Sequence, residues 1–283
     1  MCLIAFAWHT HPRWRLLLAG NRDEFHARPS APLSRWDELP VIGGRDLEAG
    51  GTWLGVTETG RCCVVTNVRD PRDPQRGTSR GLLATDYLAG AHDAAGHAQT
   101  LLEGAMDYRP FNLLTFDAEH GFYIGNRPAA RAQPVTPGVH GLSNADFNTP
   151  WPKTKALMTR LQAWLDAGHE VDFAPLFRAL ANTEQAADEV LPDTGVGLER
   201  ERWLSSAFIH GSEYGTRAST IVAIGYDGKG LIVERRFGPN GRFEGESELP
   251  LKVPTLEKAA RRFSFPETAR PGNTSAPAHA RNG

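Results

Sequence analysis

The chain lacks the features that mark several large protein classes. No apolar run approaches the roughly 20 residues that a membrane-spanning helix needs. Nothing positively charged precedes the apolar N-terminal stretch, since Arg13 and Arg15 come after it, so a cleaved signal peptide is not expected. There are 3 cysteines in 283 residues, with no C-x-x-C pair and two of them adjacent (Cys62, Cys63), which excludes a disulfide framework. A basic excess is missing too: the net charge is −2, so no nucleic-acid footprint is present. Metal-ligand spacing is absent, and Gly43-Gly44 and Gly50-Gly51 form no phosphate motif. We find no internal repeat. Together these absences suggest a cytoplasmic protein whose thiols stay reduced.

What is present begins at the second residue. Cys2 opens the apolar run Cys2-Leu3-Ile4-Ala5-Phe6-Ala7-Trp8. A small side chain at position 2 lets methionine aminopeptidase remove Met1. Cys2 would then carry a thiol and a free α-amine on one residue. An α-amine titrates at roughly 7.7–8.0 and can act as a base near neutrality. The thiol is a strong nucleophile once ionised.

Residues 2–9 and 14–20 read as a strand hairpin with Pro12 in its turn. Their apolarity is continuous rather than alternating, so both faces are expected to be covered. Residues 25–52 read as a long ordered loop whose glycines permit positive φ beside Trp53. Strands are expected at Trp53–Thr57 and Arg61–Asn67, then a loop over 68–80 carrying Arg69, Arg72, Arg76 and Arg80. Helical spacing follows at 80–90 and 93–106. Short strands come next, at Asn112–Phe116, Phe122–Asn126 and near His140–Leu142. Helices are expected at 151–167 and 173–183, and residues 184–203 read as a loop. Phe208–Ile209, Ser219–Tyr226 and Leu231–Arg236 read as strands, the last two joined by Asp227-Gly228-Lys229-Gly230. Strands, helices, then strands point to an α+β fold with two stacked sheets and helices outside. One domain over 1–265 is expected, with a disordered tail at 266–283 rich in Pro, Ala, Asn, Gly and Arg.

Several polar groups stand out as an ordered set. Asn21-Arg22-Asp23-Glu24-Phe25 ends the hairpin, and Ala27-Arg28-Pro29 follows. Then come Gly50-Gly51-Thr52-Trp53-Leu54-Gly55 and Val65-Thr66-Asn67-Val68-Arg69. Tyr214-Gly215-Thr216-Arg217-Ala218-Ser219-Thr220 lies near the C-terminal end. This set resembles the NRDE family, also called the transport and Golgi organisation protein 2 family, over roughly residues 1–255.

The resemblance implies a four-layer αββα sandwich of the N-terminal nucleophile hydrolase type. It is similar to the cysteine branch, which includes bile salt hydrolases and penicillin V acylases. On that likeness Cys2 matches the nucleophile and Asp23 the group that orients its amine. Asn67 and Asn144 (in Gly141-Leu142-Ser143-Asn144) match oxyanion donors, and Arg217 matches a late-strand Arg near the thiol. Arg22, Trp53 and Arg69 are candidates for the substrate side of the pocket. The branch usually has an Arg three residues before the Asp. Here that position is Gly20, and Arg22 would point away from the face that Asp23 occupies.

The implied activity is that of a cysteine amidohydrolase cleaving a linear amide of a small acylated amine, with no cofactor. The other implied function is haem trafficking, or acyl-CoA and lipid handling, in the same pocket without hydrolysis. There the Arg-bearing loop would meet propionates or phosphates. His9 and His11, two apart near the end of the first strand, read as a solvated or structural pair; a haem-iron role is the alternative reading, and no third ligand accompanies them.

Overall fold

The computed structural model describes residues 2–71, 77–168 and 171–256. Arg72 and Arg76 of the expected Arg-bearing loop, and the expected tail, lie outside the described residues.

Strands β1 (Cys2–Trp8) and β2 (Trp14–Phe25) form the hairpin. All seven residues of β1 are buried, as continuous apolarity requires of a strand covered on both faces. β10 (Gly138–Leu142) pairs with the other edge of β1. Beyond β2 come β11 (Tyr214–Gly225), β12 (Lys229–Phe237) and β13 (Phe243–Lys252). These make an antiparallel sheet in the order β10-β1-β2-β11-β12-β13.

The second antiparallel sheet runs in sequence order through seven strands. They are β3 (Ser30–Arg35), β4 (Ile42–Asp46), β5 (Leu54–Val56), β6 (Cys62–Asn67), β7 (Phe111–Phe116), β8 (Gly121–Gly125) and β9 (Arg131–Pro134).

Alternation along the strands sorts the side chains into layers. Ile4, Phe6, Trp8, Leu16 and Leu18 face the second sheet, where they meet Val64, Leu114 and Phe116. Leu3, Ala5, Ala7, Leu17 and Ala19 face the other way. They pack on α3 (Pro152–Asp166) and α4 (Ala174–Leu180) through Leu157, Leu161, Trp164 and Leu176. Helices α1 (Leu83–Ala89) and α2 (Ala94–Gly104) cover the outer face of the second sheet. The result is four layers: helices, sheet, sheet, helices.

The expected loop at 25–52 contains two strands, β3 and β4. Their apolar signal is weak because β3 is an edge strand carrying Pro32 and an irregular register between Ala31 and Ser34. Two more edge strands, β9 and β13, escape an apolar-run reading. Four charged residues (Glu244, Glu246, Glu248, Lys252) line β13, as suits a strand with one open side. The expected loop at 184–203 ends in a short charged helix, α5 (Leu198–Trp203). Phe208–Ile209, expected as a strand, is irregular. Ile209 bonds instead to Thr216, donating its N–H to Thr216 Oγ1 at 2.9 Å and accepting the Thr216 N–H at 2.9 Å.

Phe6 is fully buried between the sheets, with its ring centroid 5.2 Å from that of Phe116 and 5.3 Å from that of His140. Phe6→Ala is expected to cost about 3–5 kcal/mol through lost burial and the cavity left behind. Urea unfolding checks this: the midpoint falls while the slope is unchanged.

Candidate active site

The N-terminal end of β1 opens into a cleft of about 460 Å³ at one end of the stacked sheets. Cys2, Arg22, Asp23, Trp53, Asn67 and Arg217 all line it. Pairing fixes where Cys2 sits. Its register partner on β2 is Arg22, so the two share the face directed at the second sheet. On its other side the chain continuing from β10 passes close, and Ser143 Oγ donates to the Cys2 carbonyl at 2.9 Å.

Burial pushes the Cys2 thiol up to about 11; the chain's amino terminus and Arg22 oppose that shift, whereas Asp23 and Glu24 add to it. The sulfur is therefore held as the thiol at neutral pH.

Arg22 and Asp23 do point to opposite faces of β2, as alternation expects. Arg22 donates to Asp46 Oδ2 of β4 at 2.9 Å, on the side of the second sheet. Asp23 lies on the α3 side, where its Oδ1 accepts from Thr216 Oγ1 at 2.7 Å. Both nonetheless reach the cleft because it sits at the end of the sheet. Burial raises the Asp23 carboxyl, opposed first by Lys153 and then by the amino terminus, Thr216 and Arg22.

Gly20 stands where the cysteine branch has Arg, and the structure shows what fills that space. A Cβ on Gly20 would lie 3.0 Å from the Leu3 carbonyl oxygen, 3.2 Å from Ile4 Cγ1 and 3.4 Å from Trp53 Cη2. The Trp53 ring occupies the place, and the cation beside the thiol comes from Arg22, one pleat further along β2.

Asn67 ends β6 in the cleft. Asn144 is fully buried behind it and does not line the cleft. Its Nδ2 donates to both the backbone carbonyl and Oδ1 of Asn67, each at 3.0 Å. With Oδ1 engaged, the Asn67 amide is held in one orientation. Asn144 is thus a positioning group for Asn67 in this geometry. Arg217 is the extra residue of a β-bulge between Thr216 and Ala218, which re-aims its side chain. Its guanidinium donates to Phe25 O at 3.0 Å, Arg28 O at 2.8 Å and Ser30 Oγ at 3.1 Å, clamping the segment between β2 and β3.

Arg69 is not brought to the cleft. It is buried in an ion pair with Glu201 of α5 at 2.7 Å, and its guanidinium stacks 4.4 Å from the Trp151 ring centroid. His9 and His11 also lie elsewhere, at the turn end of the first hairpin. His9 Nδ1 is 2.7 Å from the Tyr226 hydroxyl, and His11 Nδ1 accepts the Arg13 and Trp14 N–H groups at 3.2 Å. Among the described residues no cluster of His, Cys, Asp and Glu is arranged to hold a metal.

Only one of the paired glycines does the job expected. Of the four, Gly50 alone has positive φ, at 78°. Gly51 is required by close approach, because a Cβ there would lie 1.8 Å from the Gly81 carbonyl oxygen.

Sequence reasoning missed Lys153. It sits in the first turn of α3, buried, with Nζ donating to Leu204 O at 2.8 Å. Burial lowers its pKa to about 8; Asp23 is the strongest opposing influence, Arg69 adds to the lowering, and Cys2 and Glu201 oppose it more weakly. The signal was there to find. Lys153 precedes Leu157 and Leu161 at successive steps of four, so a lysine occupies the apolar stripe of the helix.

A family model described as "Transport and Golgi organisation 2" matches residues 1–239 of this chain. A Bos taurus protein named "Transport and Golgi organization protein 2 homolog" is 34% identical over 262 residues, 83% of this chain and 92% of its own length. The Homo sapiens protein of the same name is 34% identical over 260 residues, with 83% and 92% covered. The Drosophila melanogaster "Transport and Golgi organization protein 2" is 25% identical over 258 residues, covering 83% and 91%. Among solved structures, the chain resembles a Caenorhabditis elegans N-acylethanolamine-hydrolyzing acid amidase ortholog at TM-score 0.47 and 12% identity, over 78% of this chain and 92% of that one. It also resembles a C2A mutant of conjugated bile acid hydrolase from Clostridium perfringens at TM-score 0.46 and 9% identity, over 90% and 98%.

The buried lysine makes stability pH-dependent. Its folded pKa of about 8 lies below the unfolded value of 10.5. The unfolded chain therefore binds more protons between those limits, and stability rises with pH across that window. Lys153→Met removes this contribution. Stability of the parent relative to Lys153→Met is expected to climb between about pH 8 and 10.5, by on the order of 3 kcal/mol. Denaturant titrations of both proteins at stepped pH check the slope of that difference.

Proposed function

The chain belongs to the Transport and Golgi organisation 2 family, and from that premise we propose that the cleft is an amide-cleaving site in which Cys2 is the nucleophile once Met1 is removed. One observation carries this reading: Cys2, at the start of a doubly covered strand, opens into the cleft beside Asp23 and Asn67.

The chemistry follows from the placement of the groups. The Cys2 α-amine takes the Sγ proton, and the thiolate attacks the carbonyl carbon of an acylated amine. Asn67 Nδ2 donates to the oxygen on which negative charge develops, and Asn144 holds the Asn67 amide in place. As the tetrahedral adduct collapses, the C–N bond breaks. The ammonium returns its proton to the leaving nitrogen, and the acyl group stays on sulfur as a thioester. Water, deprotonated by the same amine, then attacks the thioester and releases the acid and the thiol. Asp23 supplies a negative charge beside the ammonium and is itself held by Thr216.

A second reading, carriage of an anionic acyl compound such as acyl-CoA without hydrolysis, draws on the arginines of the same cleft. Haem fits less well. Among the described residues no histidine lines the cleft.

Intact-mass measurement of purified protein is expected to show Met1 absent. Incubation with a panel of N-acyl amines is expected to release free acid, with no turnover by Cys2→Ala. Asn67→Ala is expected to lower kcat about 100- to 1,000-fold, the usual effect of losing one oxyanion donor. Met1 retained on every molecule, or a Cys2→Ala protein as active as the parent, would sink the hydrolytic reading. Tight binding of acyl-CoA by both proteins with no acid released would establish the carrier reading instead.

A further inference from the structure

Most arginines in the cleft are already matched. Arg22 and Arg28 both donate to Asp46 Oδ2, at 2.9 and 2.6 Å. Arg236 donates to Ser247 Oγ at 2.8 Å and lies 3.7 Å from Glu234. Arg217 is engaged by two backbone carbonyls and a hydroxyl. Arg80 and Arg109 differ. Both line the cleft, and neither guanidinium has a carboxylate within ion-pair distance among the described residues. The one carboxylate that acts on Arg80 among its main influences is Glu24, which already accepts the Phe25 N–H at 2.9 Å and lies 3.9 Å from Arg22.

The backbone brings the segments that carry these two arginines together. Thr78 forms a bridge with Tyr108, and the Arg109 N–H donates to Thr78 O at 3.0 Å. That pairing sets Arg109 beside the segment leading into Arg80. The Gly51 contact with the Gly81 carbonyl then locks this segment against the loop that precedes Trp53. Arg80 is half-buried, and its pKa is lowered, mainly by burial; Cys2 acts to raise it, and Arg109 acts to lower it further. A guanidinium partly out of water on the wall of the Cys2 cleft, with a second cation acting on it and no carboxylate in ion-pair distance among the described residues, is costly without an anion. Guanidinium forks suit a carboxylate or a phosphate equally.

We propose that Arg80 and Arg109 form an anion subsite, so that the substrate is an acylated amine bearing a carboxylate or phosphate apart from the bond that is cleaved. This rests on the hydrolytic reading of the cleft, and the test separates the two.

Cys2→Ala protein is titrated by calorimetry with three probes: N-octanoylglycine, N-octanoyl-phosphoethanolamine and the neutral N-octanoylglycinamide. At least one anionic probe is expected to bind about 10-fold or more tightly than the neutral one, as charge-assisted hydrogen bonds allow. The tighter of the two anionic probes identifies carboxylate or phosphate. In the Cys2→Ala background, Arg80→Gln with Arg109→Gln is expected to erase the preference. Arg109→Gln alone, at an exposed position that folding does not depend on, is expected to reduce it. Equal binding of charged and neutral probes, a preference that survives both substitutions, or no saturable binding of either anionic probe overturns the subsite. If the preference holds but the parent protein releases no octanoate from any probe, the subsite stands and the hydrolytic reading falls. If the parent cleaves the neutral amide as fast as the charged ones, hydrolysis stands and the subsite falls.

Discussion

The burial of β1 on both faces is the constraint from which the rest of the site follows. A strand with Leu3, Ala5 and Ala7 against the helices and Ile4, Phe6 and Trp8 against the other sheet has no freedom to slide. A shift of one residue would exchange its two faces and drive Trp8 and Phe6 into space shaped for alanines. The position of Cys2 is therefore set by the core, not by contacts at the cleft. The same pairings that lock the strand bring Arg22 opposite Cys2 and lead the chain after β10 past it, so that Ser143 reaches the Cys2 carbonyl. A side chain held by two neighbouring strands needs few local contacts to stay in place.

Electrostatics in the adjoining layers runs against solvation. Asp23 and Lys153 are both buried, each penalised by loss of water and each favoured by the other's charge. Behind them Arg69 and Glu201 form a second buried pair, with Glu201 also accepting the Thr194 N–H at 2.8 Å and hydroxyl at 2.6 Å. Removing one partner from such a group leaves an uncompensated charge, which costs far more than the pair gains. The helix layer is thus fastened to the cleft through charge as well as through the apolar stripe of α3. Asp23 is the member that lies in both, lining the cleft while facing the helices.

The central strands could be read from the sequence because each holds a run of apolar residues. β1, β2, β6, β7 and β11 belong to that group. Edge strands could not. β3 carries a proline, β9 (Arg131-Ala132-Gln133-Pro134) has almost no apolar content, and β13 alternates acids with small residues. Their pairing partners specify them, and partners are not visible in a local window. Much of the cleft lining was legible from the ordered segments: Cys2, Arg22, Asp23, Trp53, Asn67 and Arg217 all line one cleft. Arg69 went astray because its motif position says nothing about which way a loop turns after β6. The backbone there is captured by Asn144, whose carbonyl accepts the Arg69 N–H at 2.7 Å, and the side chain is left to face α5. Arg80 was legible as part of the Arg-bearing loop, whereas Lys153 and Arg109 come from segments far from it in the chain, and no spacing rule joins them.

Gly20 shows how a departure from a related pattern can be resolved by volume. Arg at that position would have to displace the Trp53 ring and press on the Leu3 carbonyl, both fixed by the core. The cation is supplied instead from Arg22, whose guanidinium is tied to Asp46 and so kept at the rim of the cleft. Moving the charge by two residues leaves the thiol with a cation across the strand pair but gives the cleft an aromatic wall where an arginine would have stood. A flat apolar surface in the Cys2 cleft, with guanidinium groups further out, favours a ligand with an apolar part near the sulfur and its charge at a distance. The shape of the cleft and the distribution of its charge thus point to the same kind of molecule.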